Sequence, residues 1–192
     1  SLSVIRATET SEDGFELFVD AASASSVWEA LAAAGARAVG QDALEILRVE
    51  AGLPRYGVDM DETNVVTEAP LDDAVSYTKG CYVGQEIIAR IHWRGHVAKK
   101  LTGLLFGDEE KVEREAKIRA TDGKEIGRIT SSVFSPRLGR TVALGYVKYD
   151  YLSPGTKAFV SWGDAEREAT IAALPLVRGS WFDTFETSEP RS

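Results

Sequence analysis

The feature that most restricts what this chain can fold into is a change of hydrophobic period near residue 98. After His96, apolar and polar residues alternate and turn residues recur about every ten positions. The runs are Leu101 to Phe106, Lys117 to Ala120, Glu125 to Ser132, Thr141 to Tyr146, Lys157 to Trp162 and Glu168 to Ala173. Six short strands with Gly-containing turns predict a small antiparallel β-barrel or sandwich. Before residue 98 strand and helix signals mix, so the expected fold class is α+β followed by a small antiparallel β-barrel. The expected divisions are 1–97 for the α+β part, 98–178 for the barrel and 179–192 for a polar tail.

The α+β part opens with alternation over Ser3 to Ala7, an acidic turn at Thr10 to Gly14 and a second strand from Phe15 to Val19, which together predict a hairpin. A helix is expected from Ser23 or Ser25 to about Ala34, with serines to cap it and Gly35 to end it. Its alanine content predicts close packing. A second helix is expected from about Asp42 to Ala51, where Ala43, Ile46 and Leu47 fall at helical spacing and Gly52 and Pro54 supply the stop. Leu53 to Ser76 reads as a long irregular stretch rich in acids, of the kind that is functional or wraps another element. A third helix is expected from Val83 or Gly84 to about Trp93, since Ile87, Ile88 and Ile91 form an apolar stripe and Gly95 ends it.

Composition excludes several classes. With 192 residues, 44% hydrophobic and 27% charged, the chain can bury a sizeable core and is not disordered. Its formal net charge of -8 argues against general affinity for nucleic acid or an anionic membrane. The single cysteine, Cys81, excludes an internal disulfide and a multi-cysteine zinc or iron–sulfur cage built by this chain alone. No run has the apolar length of a membrane span and Ser1 to Thr8 lack a secretion-signal layout, so a soluble protein in a reducing cytoplasm is expected. The chain opens at Ser1-Leu2-Ser3 with a strand already under way, which suggests that the polypeptide was cut or trimmed upstream.

Chemistry concentrates in Lys79-Gly80-Cys81-Tyr82-Val83-Gly84-Gln85-Glu86. From Lys79 to Lys100 the basic residues Lys79, Arg90, Arg94, Lys99 and Lys100 face one acid, Glu86, within an acidic protein. Such an island suits a specific anion. Two glycines permit close backbone approach, and the helix that follows presents free N–H groups and a positive dipole end. Cys81, near that helix start and two residues from Lys79, is a reactive-thiol candidate. The alternative is a buried small hydrophobe. Glu86 and Arg90 read most simply as a surface ion pair. His92 and His96 share a helical offset, but Gly95 interrupts the helix and no third ligand is near, so no metal is expected.

The Lys79 to Glu86 run resembles the signature of the YgfZ-type folate-binding proteins, relatives of the glycine cleavage T-protein (aminomethyltransferase). The likeness extends through Glu12-Asp13-Gly14-Phe15-Glu16, Arg48 to Pro54 with Tyr56 to Glu62, Thr130-Ser131 to Ser135-Pro136, and Ala143 to Val147. It implies part of a T-protein-like fold around a tetrahydrofolate site, ending in the barrel, with a preceding stretch that in T-proteins carries an aspartate associated with catalysis. It also implies that Glu16 hydrogen-bonds the pterin, and a carboxylate does suit two N–H donors of an aminopyrimidine edge. The plainer reading of Glu16 is an exposed carboxylate on a strand edge, and Glu12 reads as a solvated turn residue. By the same resemblance Lys79, Tyr82, Gln85, Glu86 and Arg90 are candidate folate-binding residues, with Cys81 as the candidate catalytic group. T-proteins carry an arginine for the folate tail where Gln41 aligns here, and they usually lack the cysteine.

Three functions follow. The preferred one is a tetrahydrofolate-binding protein of the YgfZ type that assists assembly or repair of iron–sulfur client enzymes through Cys81, because a thiol beside a helix start is chemistry that methylene transfer does not require. The alternative is an aminomethyltransferase that passes a one-carbon unit to tetrahydrofolate in glycine cleavage. The third is a domain that binds folate or a partner with no chemistry of its own.

Overall fold

A computed structural model describes residues 1–182 of the chain. The predicted hairpin forms from β1 (Leu2–Arg6) and β2 (Phe15–Val19), paired antiparallel from Leu2↔Val19 to Arg6↔Phe15. Three helices follow, α1 (Ala24–Ala33), α2 (Gln41–Glu50) and α3 (Gln85–Arg94). The β-rich part comprises β3 (Lys99–Phe106), β4 (Lys117–Ala120), β5 (Glu125–Ser135), β6 (Arg140–Lys148), β7 (Lys157–Trp162) and β8 (Ala165–Ala172). These six strands close into an antiparallel barrel in the order β3-β6-β5-β4-β7-β8.

Inward-facing residues fill the barrel: Leu104, Phe106, Ile118, Ile126, Ile129 and Ile171 are all buried in one cluster. Truncating any of these large apolar side chains to alanine costs about 2–5 kcal/mol. A second cluster lies on the outer wall, where Val49 of α2 packs with Leu101, Val133, Val142, Leu144 and Tyr146. Val49 is fully buried, so α2 is docked on the barrel by its apolar side. Strands β5 and β6 run further than their sequence pattern predicts, because Val133↔Val142 and Ser135↔Arg140 continue the ladder to a tight turn with Gly139 in the left-handed region.

The alanine content of α1 misleads. No residue of α1 is buried, and Trp28 remains 63% exposed. Small side chains allow close approach but do not create a neighbour, and packing is decided by apolar area with something to cover it. The expected tail is also partly ordered, since Ser180–Phe182 form a 3-10 turn against the hairpin turn. The Gly179 N–H donates to Ser11 Oγ (3.3 Å) and the Trp181 N–H to Ser11 O (3.0 Å). A Cβ on Gly179 would stand 2.1 Å from Ser11 O, so only glycine fits there. The rest of that expected tail lies outside the described residues. No helix among the described residues is long and apolar enough to cross a membrane.

Candidate functional site

The structure brings only part of the predicted constellation together. Helix α3 starts at Gln85, one or two residues later than its pattern predicts, because Gly84 takes a left-handed φ of 86° at the cap. Gln85 Oε1 accepts the Tyr82 N–H at 3.2 Å, and Lys79 Nζ stands 4.9 Å from the centre of the Tyr82 ring. Tyr82, Gln85 and Glu86 line one shallow hollow with Gly84, Ile87 and Ala89. Cys81 is exposed, so the buried-hydrophobe reading is wrong. Lys79, Gly80, Val83 and Gly84 around it are exposed as well. The expected Glu86–Arg90 ion pair does not form among the described residues, whose ion pairs within 4.0 Å include neither side chain. Both side chains can extend into water, where an exposed pair gains little against the entropy of holding it.

Glu16 lies on the hairpin opposite Ile5, exposed and away from this segment in sequence and in strand pairing. Glu12 is no mere solvated residue. Its carboxylate accepts the Ser180 N–H (3.0 Å) and Ser180 Oγ (2.5 Å), and these bonds hold its pKa below the ordinary value. The two histidines engage different rings: His92 stacks on Tyr77 and His96 on Tyr149, each at 3.9 Å between centroids.

The better-formed recess lies elsewhere. A cleft of about 540 Å³ opens between the start of α2 and the segment after it, walled by Gln41, Leu44, Glu45, Leu53, Arg55 and Tyr56, with Thr8 and Glu9 at its rim. That size falls within the range of small-molecule sites. Sequence reasoning noted Gln41, and Tyr56 only within the family likeness, but passed over Glu45 and Arg55, which carry no periodic signal. Arg55 Nη1 pairs with Glu45 Oε2 at 2.9 Å and is just over half exposed. A hydrogen bond from Arg48, reinforced by the charges of Arg48 and Arg55, holds the Glu45 carboxyl below its ordinary pKa against the opposing effect of burial. Tyr56 offers an exposed ring, its hydroxyl 3.4 Å from Glu62.

A buried polar cluster adjoins the cleft, which Arg48 also lines. Arg48 uses all five of its N–H donors: Nε and Nη2 on the Glu45 carboxylate, Nη1 on Asp59 Oδ2 (2.5 Å) and on Leu53 O (3.2 Å), and Nη2 on Ser131 Oγ (2.6 Å). Asp59, 1% exposed, also accepts Thr130 Oγ1 (2.6 Å), Ser131 Oγ (2.7 Å) and the Arg55 N–H (3.0 Å). Each charge therefore has a partner, as burial requires. A saturated Arg48 has no donor left for a ligand, whereas Arg55 can exchange Glu45 for an incoming anion.

The model of the GCVT N-terminal domain matches residues 1–79, and that of the glycine cleavage T-protein C-terminal barrel domain matches residues 99–178. An aminomethyltransferase of Cupriavidus metallidurans is 36% identical over 178 residues, covering 92% of this chain and 46% of the relative. One from Streptomyces avermitilis is 35% identical over 183 residues, covering 91% and 49%. The crystal structure of glycine cleavage system aminomethyltransferase T from Bartonella henselae superposes with a TM-score of 0.81 at 27% identity, over 91% of this chain and 49% of that one. The α+β part and the closed barrel thus define a protein of the T-protein fold class. The chain belongs to the glycine cleavage T-protein (aminomethyltransferase) family. It spans about half the length of the curated relatives it matches.

Proposed function

We propose that this chain supplies a tetrahydrofolate-holding surface of an aminomethyltransferase-type protein, which passes a one-carbon unit to the folate. The observation that carries this reading is the cleft of Gln41, Glu45, Arg55 and Tyr56. Gln41 stands where the resemblance implies a tail-binding arginine, and Arg55 brings a guanidinium to the same cleft. A guanidinium offers a carboxylate two parallel donors. An exposed tyrosine ring gives a flat ligand a face to stack on.

The pterin end would meet Glu16. Ile5, opposite Glu16, is three residues from Thr8 at the cleft rim. Three extended residues reach at most about 11 Å and the strand spacing adds about 5 Å, so Glu16 is within about 16 Å of the rim. An elongated ligand spans that distance. Lys79, Tyr82, Gln85, Glu86 and Arg90 then belong to a neighbouring surface, and a direct folate contact from them is a separate proposal.

The iron–sulfur reading rests on the likeness of Lys79 to Glu86 to the YgfZ-type signature and on the exposed thiol of Cys81, and the relatives named above, both aminomethyltransferases, support the transferase instead. Calorimetry with tetrahydrofolate tests the proposal. Arg55→Ala and Glu16→Gln are each expected to weaken binding about ten-fold, the loss of one charge-assisted contact. Equal affinity in wild type and both variants would refute the assignment. Formation of methylene-tetrahydrofolate from an aminomethylated lipoyl protein then separates transfer from binding.

A further inference from the structure

The barrel reaches the cleft through one irregularity. Strands β5 and β6 pair as Ile129↔Gly145 and then Ser131↔Leu144, so Thr130 is an extra residue in β5 with no opposite number. Consecutive residues of a regular strand point to opposite faces, but a bulge re-aims one of them. Here both hydroxyls, Thr130 Oγ1 and Ser131 Oγ, meet the same oxygen, Asp59 Oδ1, at 2.6 and 2.7 Å.

The other oxygen of Asp59 holds both walls of the cleft. It accepts Arg48 Nη1 from α2 and the Arg55 N–H from the segment after it. Arg48 in turn clamps Glu45 and Leu53 O, one from each wall. Ser131 Oγ accepts Arg48 Nη2 while donating to Asp59, so the barrel touches both members of the pair. The five N–H donors of Arg48 and both carboxylate oxygens of Asp59 are engaged within this cluster, and of its charged members Glu45 and Arg48 also line the cleft.

We infer that Thr130 and Ser131 are positioning residues for the cleft: through Asp59 the barrel bulge fixes the separation of α2 from the Leu53–Tyr56 segment, and with it the placement of Arg55. The inference rests on the folate reading for its ligand but on the hydrogen bonds for its geometry. It gives the barrel a part in ligand binding without any barrel side chain in the cleft wall. A displacement of the Arg55 backbone by about 1 Å would carry its guanidinium away from the ligand's carboxylate, and misplacement of that size is costly for a directional contact.

The test is the double variant Thr130→Val with Ser131→Ala in this chain, beside Thr130→Ser with Ser131→Thr, which keeps both hydroxyls. Two quantities are read well below the unfolding midpoint of each protein: tetrahydrofolate affinity, and hydrogen exchange at the Arg55 amide with the Ile118 and Val160 amides of the barrel as controls. The hydroxyl-free variant should bind about ten-fold more weakly and exchange Arg55 about ten-fold faster with the barrel amides unchanged. The hydroxyl-exchanged variant should match wild type in both. A lowered unfolding midpoint with unchanged Arg55 exchange would overturn the inference, since the bulge would then only add stability. Unchanged affinity in a chain whose wild type binds would overturn it equally. If wild type does not bind tetrahydrofolate, the folate reading falls, and Arg55 exchange alone decides the positioning role.

Discussion

The buried pair Arg48–Asp59 gives a prediction whose size can be worked from the contacts. In Asp59→Asn the amide nitrogen must replace one carboxylate oxygen. Turned toward Arg48 and the Arg55 N–H it would set donors against donors, so it turns toward Thr130 and Ser131, whose oxygens can accept. Thr130 then has Leu144 O, 3.2 Å away, as its new acceptor, while Ser131 loses one. The larger cost is electrostatic, because Arg48 keeps only Glu45 as a counter-charge in a site where its side chain is 7% exposed. Removing one member of a buried pair costs about 3–5 kcal/mol, and the surviving Glu45 contact puts this case near 3. Arg48→Met falls in the same range, since Asp59 keeps three hydrogen bonds but loses its cation. In the double variant neither residue misses the other, so the combined loss should fall short of the sum by about 2 kcal/mol. With a urea slope of about 2 kcal/mol/M, each single variant lowers the unfolding midpoint by about 1.5 M. Single effects below about 1 kcal/mol, or additivity within about 0.5 kcal/mol, would refute the view that the pair acts as one buried unit.

Acid should act through Glu45, whose pKa is lowered in the folded state. A depressed carboxylate contributes stability that is present above its unfolded pKa and lost as pH falls through the folded one. The gap in urea midpoint between wild type and Glu45→Gln should therefore close on acidification, and a gap that widens would count against the assignment. Alkali should act through Tyr146, buried with no partner for its hydroxyl among the described residues and pushed up to about 12 by desolvation, aided by the charges of Glu68 and Asp59. Its unfolded form ionises near 10, so stability is lost as pH rises from there toward 12. Tyr146→Phe should flatten that loss and leave neutral stability equal or higher, because the buried hydroxyl goes unsatisfied; a large neutral loss would disprove it. Exposure of Cys81 predicts that a thiol reagent titrates one equivalent in the native protein. Labelling only after denaturation would contradict that.

The barrel was legible because its signal is local. Alternation over Lys117 to Ala120 and Lys157 to Trp162 matches β4 and β7 residue for residue. Its failures fall where register departs from period two, as at Thr130, or where a turn comes later than the pattern suggests, as in β5 and β6. The cleft was not legible for a different reason. Asp59 stands in a run of acids that includes Asp61 and Glu62, yet Asp59 is buried at the centre of four hydrogen bonds and those two are exposed. What separates them is contact with Ser131, 72 positions away, and no short window contains that information. The Lys79 to Glu86 segment shows the converse. Its residue types announced chemistry, but whether Cys81 faces solvent depends on packing that types do not encode.

Order is unevenly spread, and the unevenness bears on how a ligand would be held. The strands of the hairpin expose apolar residues on both faces, Val4 and Leu17 on one and Ile5 and Phe18 on the other. A two-stranded ribbon so placed adds little stability of its own. Its turn is another matter. Ser11, Glu12 and Asp13 are tied to Gly179, Ser180 and Trp181, Arg6 pairs with Asp13 at 2.7 Å, and the Arg6 guanidinium lies 4.9 Å from the Trp181 ring centre. Glu16 is the second residue of β2 and so lies near this anchored end. Thr8 and Glu9, on the near side of the same turn, line the cleft. Local opening free energy follows local contact, so amides near Ser11 and Phe15 should exchange more slowly than those near Leu2 and Val19. The end of the ribbon that carries the pterin candidate is thus the end anchored to Gly179, Ser180 and Trp181, and the same turn brings Thr8 and Glu9 to the cleft.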